Sequence, residues 1–348
     1  MNIRPINIKS ESDILALTKI WQKCFTDDLP YINSFINSCL PYITSWFIVL
    51  DDKPVSVLSL IPSYALHPKT AIYSGSLSRN QQDTPPSSVV KIHGAYIYGV
   101  ATLPEYRGNS YSRILLSKAI DYSEELGLDY IVVKPADELL FDLYRKAGFN
   151  TTLYGNKRII QLSGGSFENN STISDTDLPI RFAFTSVPKF LDKSCTGHFD
   201  ASSANTSSPS DHPDFAPLSP EQLFILREQS NHETLLWPPE VLRYALIEAL
   251  SRPAAIAVTD GFLYFITHPS DTDEKIIRLL ETNAETPAQF NRIVAHIRKL
   301  YPEALAVLID SANIDKTLRE DSALLKILNP DPNIEDLLSA FYLSLPME

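Results

Sequence analysis

Apolar and polar residues follow two periods along this chain, and the places where the period changes mark its elements. Met1–Ile8 alternates as a strand does, and Ser12–Phe25 and Pro30–Leu40 then repeat at helical spacing. Ser45–Leu50 and Pro54–Ile61 are β-prone runs around Asp51-Asp52-Lys53, which predicts a hairpin. Ala95–Thr102 is continuously β-prone, the pattern of a strand covered on both faces. After Ser112, the apolar residues Ile114, Leu115, Ala119, Ile120 and Leu126 form a helical stripe that Gly127 ends. Asp129–Lys134 is a short buried strand. Asp137 then caps a helix carrying Leu140, Leu143, Tyr144 and Ala147, with Gly148 as its stop. Residues 1–162 thus read β-α-α-β-β-β-α-β-α-β, closing on a right-handed strand–helix–strand crossover.

The same order returns further along. Phe47–Ser63 aligns with Ala255–Ser270 with one residue of slack, each a hairpin with Asp at its turn and Pro-Ser at its exit. Helix-like Pro220–Gln229 and Pro239–Leu250 precede the second hairpin. Strand-like Lys275–Glu281, helical Pro287–Leu300 and strand-like Ala304–Ile309 follow it. The chain therefore reads as two copies of one unit. The first spans 1–162, a linker spans 163–175, and the second spans 176–348. Ser163–Thr172 has linker composition, and hydroxyl-rich Asp192–Ser219 reads as a mobile loop of the second copy.

Chemistry concentrates where the continuous strand meets the next helix, at Gly99-Val-Ala-Thr-Leu-Pro104-Glu-Tyr-Arg107-Gly108-Asn109-Ser110-Tyr-Ser112. A helix opening from a loop of small residues presents unpaired N–H groups and the positive end of its dipole, which suits a pyrophosphate. Farther on stands Tyr144-Arg-Lys-Ala-Gly148-Phe149. Together these segments resemble the GNAT superfamily of acyl-CoA-dependent N-acyltransferases. Its loop is Q/R-x-x-G-x-G/A after a strand ending in V-x-P, and its later signature is Y-x-x-x-G-F. Pro104, Arg107 and Gly108 stand where the family has them, whereas Ser110 and Ser112 replace its later glycines. Serine keeps the backbone donors but costs about 1 kcal/mol where the backbone needs φ > 0.

The resemblance implies an α/β (α+β) fold: a mixed, mostly antiparallel central sheet flanked by helices, present twice. It implies an acyl-CoA site between the strand ending at Pro104 and the strand Asp129–Lys134. Backbone groups of Val100 and Thr102 would hold the pantetheine and thioester. Arg107, Gly108, Asn109, Ser110 and Ser112 would hold the pyrophosphate. Asp137 stands where the family often has a CoA-contacting Asn, and Tyr144 would be the general acid by the sulfur. No general base is evident, since the strand offers only Tyr96 and Tyr98 with a lone His93 upstream. The C-terminal run Ala340–Glu348 reads as a strand that could deliver a carboxylate, and a water chain would also serve. The second copy has Thr282-Asn-Ala-Glu285-Thr-Pro287 in place of the loop, with no glycine or arginine and a carboxylate opposing an anion. It reads as a scaffold or substrate wall.

Composition sets the remaining bounds. The 348 residues allow two cores, and no run of 18 apolar residues offers a bilayer span. The start carries no apolar secretory region, and three cysteines (Cys24, Cys39, Cys195) are too few for a disulfide framework or zinc cluster. Cytoplasmic location is expected, with Cys24 and Cys39 buried. Residues 1–162 hold 16 Lys+Arg against 15 Asp+Glu, a balance of +1, and residues 163–348 hold 14 against 27, a balance of −13, so the negative charge lies beyond the first copy. That charge opposes nucleic acid and favours a cationic amine. The templates H-E-x-x-H, G-x-S-x-G, Walker and C-x-x-C are absent, so no metal, nucleic acid or membrane partner is expected. The leading reading is an acetyl-CoA-dependent N-acetyltransferase acting on a primary amine of a small molecule or peptide. A silent acyl-CoA-binding or regulatory module, and a tandem transferase of longer acyl or aminoacyl groups, are the alternatives. Oligomeric state is not legible.

Overall fold

The computed structural model describes residues 1–25, 27–68, 89–162, 216–229, 235–246, 256–259, 263–270, 273–284, 287–312, 320–329, 334 and 338. The first half runs β1 (Asn2–Pro5), α1 (Glu11–Phe25), α2 (Leu29–Ser38), β2 (Thr44–Leu50), β3 (Lys53–Pro68), β4 (Val89–Thr102), α3 (Tyr111–Glu125), β5 (Tyr130–Val133), α4 (Glu138–Lys146) and β6 (Thr151–Gln161). The second runs β7 (Ala216–Pro217), α5 (Pro220–Gln229), α6 (Pro239–Ala245), β8 (Ile256–Thr259), β9 (Leu263–Pro269), β10 (Ile276–Thr282), α7 (Pro287–Leu300), β11 (Ala306–Ala312) and β12 (Glu320–Ile327). The order expected for residues 1–162 is the order found. The strand expected from Ala95 begins earlier, at Val89, and the one expected at Ala304–Ile309 runs Ala306–Ala312.

Local chemistry explains the boundaries. Asp51 and Asp52 both take positive φ (46° and 61°), the two-residue turn that matches the twist of β2 and β3. Asp28 caps α2 by accepting the Tyr31 N–H at 2.8 Å. Asp13, buried on α1, takes a two-pronged contact from Arg4 of β1 at 2.6 and 2.7 Å and a third bond from the Asn7 N–H. The guanidinium holds that carboxyl below the usual carboxylate range.

All strands join one sheet in the order β1-β2-β3-β4-β5-β12-β6-β11-β10-β9-β8-β7. Among the described residues only β4–β5 and β10–β11 are parallel pairs. Read inward from either edge, each half contributes five strands and then receives its sixth from the other half. Thus β12 lies against β5, and β6 lies against β11. A chain division after Leu162 therefore does not divide the sheet.

Three cores cover it. On one face α1, α2, α5 and α6 share a core that spans both halves, with Trp21, Phe35, Tyr96, Trp237, Tyr244 and Tyr264 in it. On the other face α3 and α4 cover β2–β5 and β12, and α7 covers the second half's strands. Strand β4 serves both faces by simple alternation: Ala95 and Ile97 point to α3 and α4, Tyr96 to the opposite core. The proposed linker, the expected loop Asp192–Ser219 as far as Phe215 (with Cys195), residue Glu285 and the run Ala340–Glu348 lie outside the described residues.

Candidate active site

Strands β4 and β5 are paired only over Gly94–Ile97 and Tyr130–Val133. Beyond Ile97, β4 runs on to Thr102 alongside β3 alone, so a gap opens between the parallel strands. A bulge sharpens the divergence. The β3–β4 register slips between Ser59↔Tyr98 and Val57↔Ala101, which puts Gly99 and Val100 opposite one β3 residue. Gly99 has φ +59°, and a Cβ there would lie 2.9 Å from the Trp21 ring. Glycine is required twice over, by the backbone and by the close approach of α1.

At the end of β4 the chain makes a short 3-10 turn at Pro104–Tyr106 and then the exposed loop Arg107–Ser110. Gly108 has φ +82° and open space around its Cβ position. Ser110, at the N-cap of α3, is held at φ 61°, ψ 20°, and its side chain makes no cap bond. This is the left-handed conformation that the glycine of the resembled motif adopts freely, so serine bears the strain expected for it. The leading N–H groups of α3 therefore face the loop without a side-chain cap. This fits an anion: backbone donors, helix dipole and room converge there.

Each of the expected ligand residues has a local task in the fold. Arg107 folds back, its Nε donating to the Thr102 carbonyl at 3.2 Å. The Cys24 thiol donates to the same carbonyl at 3.3 Å. Both lone pairs of that oxygen are thus engaged, and the Thr102 hydroxyl pairs with Ser56 at 2.8 Å. Asn109 spends its amide on the carbonyls of Tyr106 and Arg107, at 3.0 and 3.3 Å, and so braces the loop. Val100 sits half-buried in the bulge, and Ser112 is half-buried in the first turn of α3. Asp137 caps α4, its Oδ1 accepting the Leu140 N–H at 3.1 Å.

Tyr144 lies two turns after Asp137 on the same face of α4. Its ring is 5% exposed and meets Phe149 edge-on at 6.0 Å. Its hydroxyl makes no hydrogen bond with the described residues. Burial first, and the Asp137 carboxylate second, push this phenol up to about 12. The phenol thus keeps its proton at neutral pH.

Across the sheet, Tyr98 forms a hydroxyl chain with Tyr31 of α2 and Tyr244 of α6, each link 3.2 Å. Burial raises the Tyr98 and Tyr244 phenols, so neither is a base at neutral pH. Trp21 stacks on Phe35 at 4.3 Å beside this group, with its buried indole N–H unpartnered.

The second half opens in the same way and is filled differently. Strand β10 pairs with β11 only over Ile276–Leu279, and its register with β9 slips between Leu279 and Glu281. Glu281 accepts two bonds from Arg227 of α5, at 2.8 and 3.1 Å, and one from the Tyr264 hydroxyl at 2.7 Å. Both charged side chains are 1% exposed. Where the first half places glycine and indole, the second buries an ion pair. The sequence reading missed this pair, Gly99 and β12. An isolated glycine within a β-prone run was the available sign of Gly99.

Residues 14–149 match the sequence model of the acetyltransferase (GNAT) family. No curated protein matches the chain. Among solved structures, Eis1 from Mycobacterium abscessus superposes with a TM-score of 0.59 at 13% identity, over 94% of this chain and 74% of that one. A probable N-acyltransferase of unknown function from Enterococcus faecalis V583 gives 0.58 at 13% identity, over 94% and 73%. A GCN5-related N-acetyltransferase from Anabaena variabilis gives 0.58 at 14% identity, over the same shares. The shared fold thus extends across both halves.

Proposed function

Because this chain carries a GNAT acetyltransferase domain at residues 14–149, we propose that it transfers an acetyl group from acetyl-CoA to a primary amine of a small molecule or peptide. The observation that carries the reading is the gap between β4 and β5, which leads directly to the uncapped N-terminus of α3. The α3 donors, the Gly108 backbone and Arg107 hold the pyrophosphate, with Arg107 exchanging its bond to Thr102 for a phosphate oxygen. Val100, in the bulge, flanks the pantetheine. The second half is a scaffold whose own gap is taken by Arg227 and Glu281, and it lends Tyr244 to the amine side. A reducing compartment such as the cytoplasm suits a chain with only three cysteines.

Chemistry runs by direct attack. The amine nitrogen forms a bond to the thioester carbonyl carbon, the carbon–sulfur bond breaks, and the sulfur leaves with its electron pair. Tyr144 gives its proton to that sulfur, and the proton shed by the amine returns to the phenolate through water. An ordinary thiol pKa of about 8.5 makes thiolate departure feasible alone, so the phenol accelerates the step without being indispensable. Thiol release from acetyl-CoA across an amine panel tests the reading, with Tyr144→Phe as comparison. Turnover is expected to fall on the order of 10²-fold in the variant, with folding and acetyl-CoA affinity little changed. Full activity in the variant removes Tyr144 from the chemistry. Acetyl-CoA binding without thiol release for any amine leaves a silent binding module instead.

A further inference from the structure

The strand that backs the first half's gap does not come from the first half. β12 inserts between β5 and β6, pairing Leu324 with Val133 and Leu325 with Val132 on one side, and with Thr152 and Thr151 on the other. Val133 is the last β5 residue paired with β4 before the strands part, so Leu324 stands directly behind the point where the gap begins. Running antiparallel, β12 continues past the end of β5 toward α4. There the Asp321 carboxylate accepts from Arg145, the neighbour of Tyr144, at 2.9 Å. Leu324 is fully buried in the cluster that holds Tyr144 and Phe149. Beyond the strand, the N–H groups of Leu328 and Asn329 donate to the Asp129 carbonyl at 2.9 and 3.1 Å. The Asn329 amide reaches the Asp129 carboxylate at 2.7 Å. The other oxygen of that carboxylate accepts from the His93 N–H of β4 at 3.0 Å. One ten-residue stretch of the second half thus fixes both ends of β5 and the helix bearing the phenol.

We infer that β12 is a positioning element of the acyl-transfer site, and that Leu324 is the residue through which the second half sets the position of Tyr144. The inference rests on the reading of Tyr144 as proton donor. Its physical basis is packing. Interiors are close-packed and transmit strain, so removing a buried side chain from the cluster that holds a ring lets the ring move. A displacement near 1 Å at a reacting group is enough to cost a large factor in rate. Asp321 adds a weaker, half-exposed restraint on the neighbouring residue of the same helix.

A double-mutant cycle in the full-length protein tests this, using Leu324→Ala, Tyr144→Phe and the pair. Thiol release is measured at saturating amine and acetyl-CoA and scaled to the folded fraction from circular dichroism. Leu324→Ala alone is expected to lower kcat about tenfold or more, with little change in the KM for either substrate. In the Tyr144→Phe background the same change is expected to lower kcat less than twofold, because the group it positions is already gone. Should Leu324→Ala not fold, Asp321→Ala goes through the same cycle, with an expected single-variant fall of about threefold and none in the Phe background. Equal losses in both backgrounds make the residue merely structural and overturn the inference, as does an unchanged kcat. If Tyr144→Phe itself retains full activity, the proton-donor reading fails and takes the inference with it, an outcome distinct from the other two.

Discussion

Ser110 strains the backbone at the residue that opens α3. Its φ of 61° costs a non-glycine residue about 1–2 kcal/mol. Glycine would relieve that cost and give back about 0.4–1 kcal/mol through greater unfolded-chain freedom. Ser110→Gly is therefore expected to stabilise the fold by roughly 0–1 kcal/mol in denaturant melts and to leave acetyl-CoA affinity unchanged or tighter. A marked loss of affinity would make the hydroxyl itself a ligand. Tyr144 carries the other residue-scale expectation. Its folded pKa of about 12 lies above its unfolded value near 10. The phenol's contribution to stability is thus complete below pH 10 and is lost as pH rises through 12. The same shift keeps the donor protonated, so no basic limb from this group should appear below about pH 10 in kcat/KM. Loss of such a limb on changing Tyr144 to Phe would keep the phenol as donor but show that it titrates well below 12.

The elements bearing these residues were readable to different degrees. The hairpin at Asp51-Asp52, the caps at Asp137 and Gly127 and the helix Pro287–Leu300 follow from short-range rules, because turns and caps are satisfied by neighbours in sequence. The divergence of β4 from β5 depends on pairing across distant residues and on a ring from α1, which no local pattern reports. Gly99 is where that element can be tested. Gly99→Ala places a methyl 2.9 Å from a 1%-exposed indole at positive φ. A stability loss of about 1–3 kcal/mol is expected in urea melts, with weaker acetyl-CoA binding. An unchanged melt would mean that the bulge relaxes freely. The attachment of β1 to α1 gives a pH test. Asp13 has a folded pKa depressed chiefly by its Arg4 bonds. Its contribution is present above the ordinary value near 3.9 and is lost as pH falls through the depressed one. Asp13→Asn should therefore lower Tm at pH 7, and the difference from the parent protein should shrink below about pH 4. A difference constant down to pH 2 would deny the ion pair that role.

At the scale of the molecule, the repeated order of elements was visible in the aligned hairpins, whereas the exchange of final strands was not. Both β6 and β12 occupy their neighbours' sheets with the same β-prone composition they would have at home, so sequence cannot tell which partner each one takes. Likewise the acidic second half announced a chemical difference, but the buried pair Arg227–Glu281 required the fold to bring α5 to β10. On these two features rests the proposal of one acyl-CoA site per chain, in the first half, completed by a strand from the second. Titration calorimetry of acetyl-CoA into the full-length protein tests it most directly. The account predicts a single site per chain, with a dissociation constant about tenfold higher in Arg107→Ala, from loss of a charge-assisted contact of roughly 1.5–3 kcal/mol. Two sites per chain, no binding, or binding indifferent to Arg107 would contradict it.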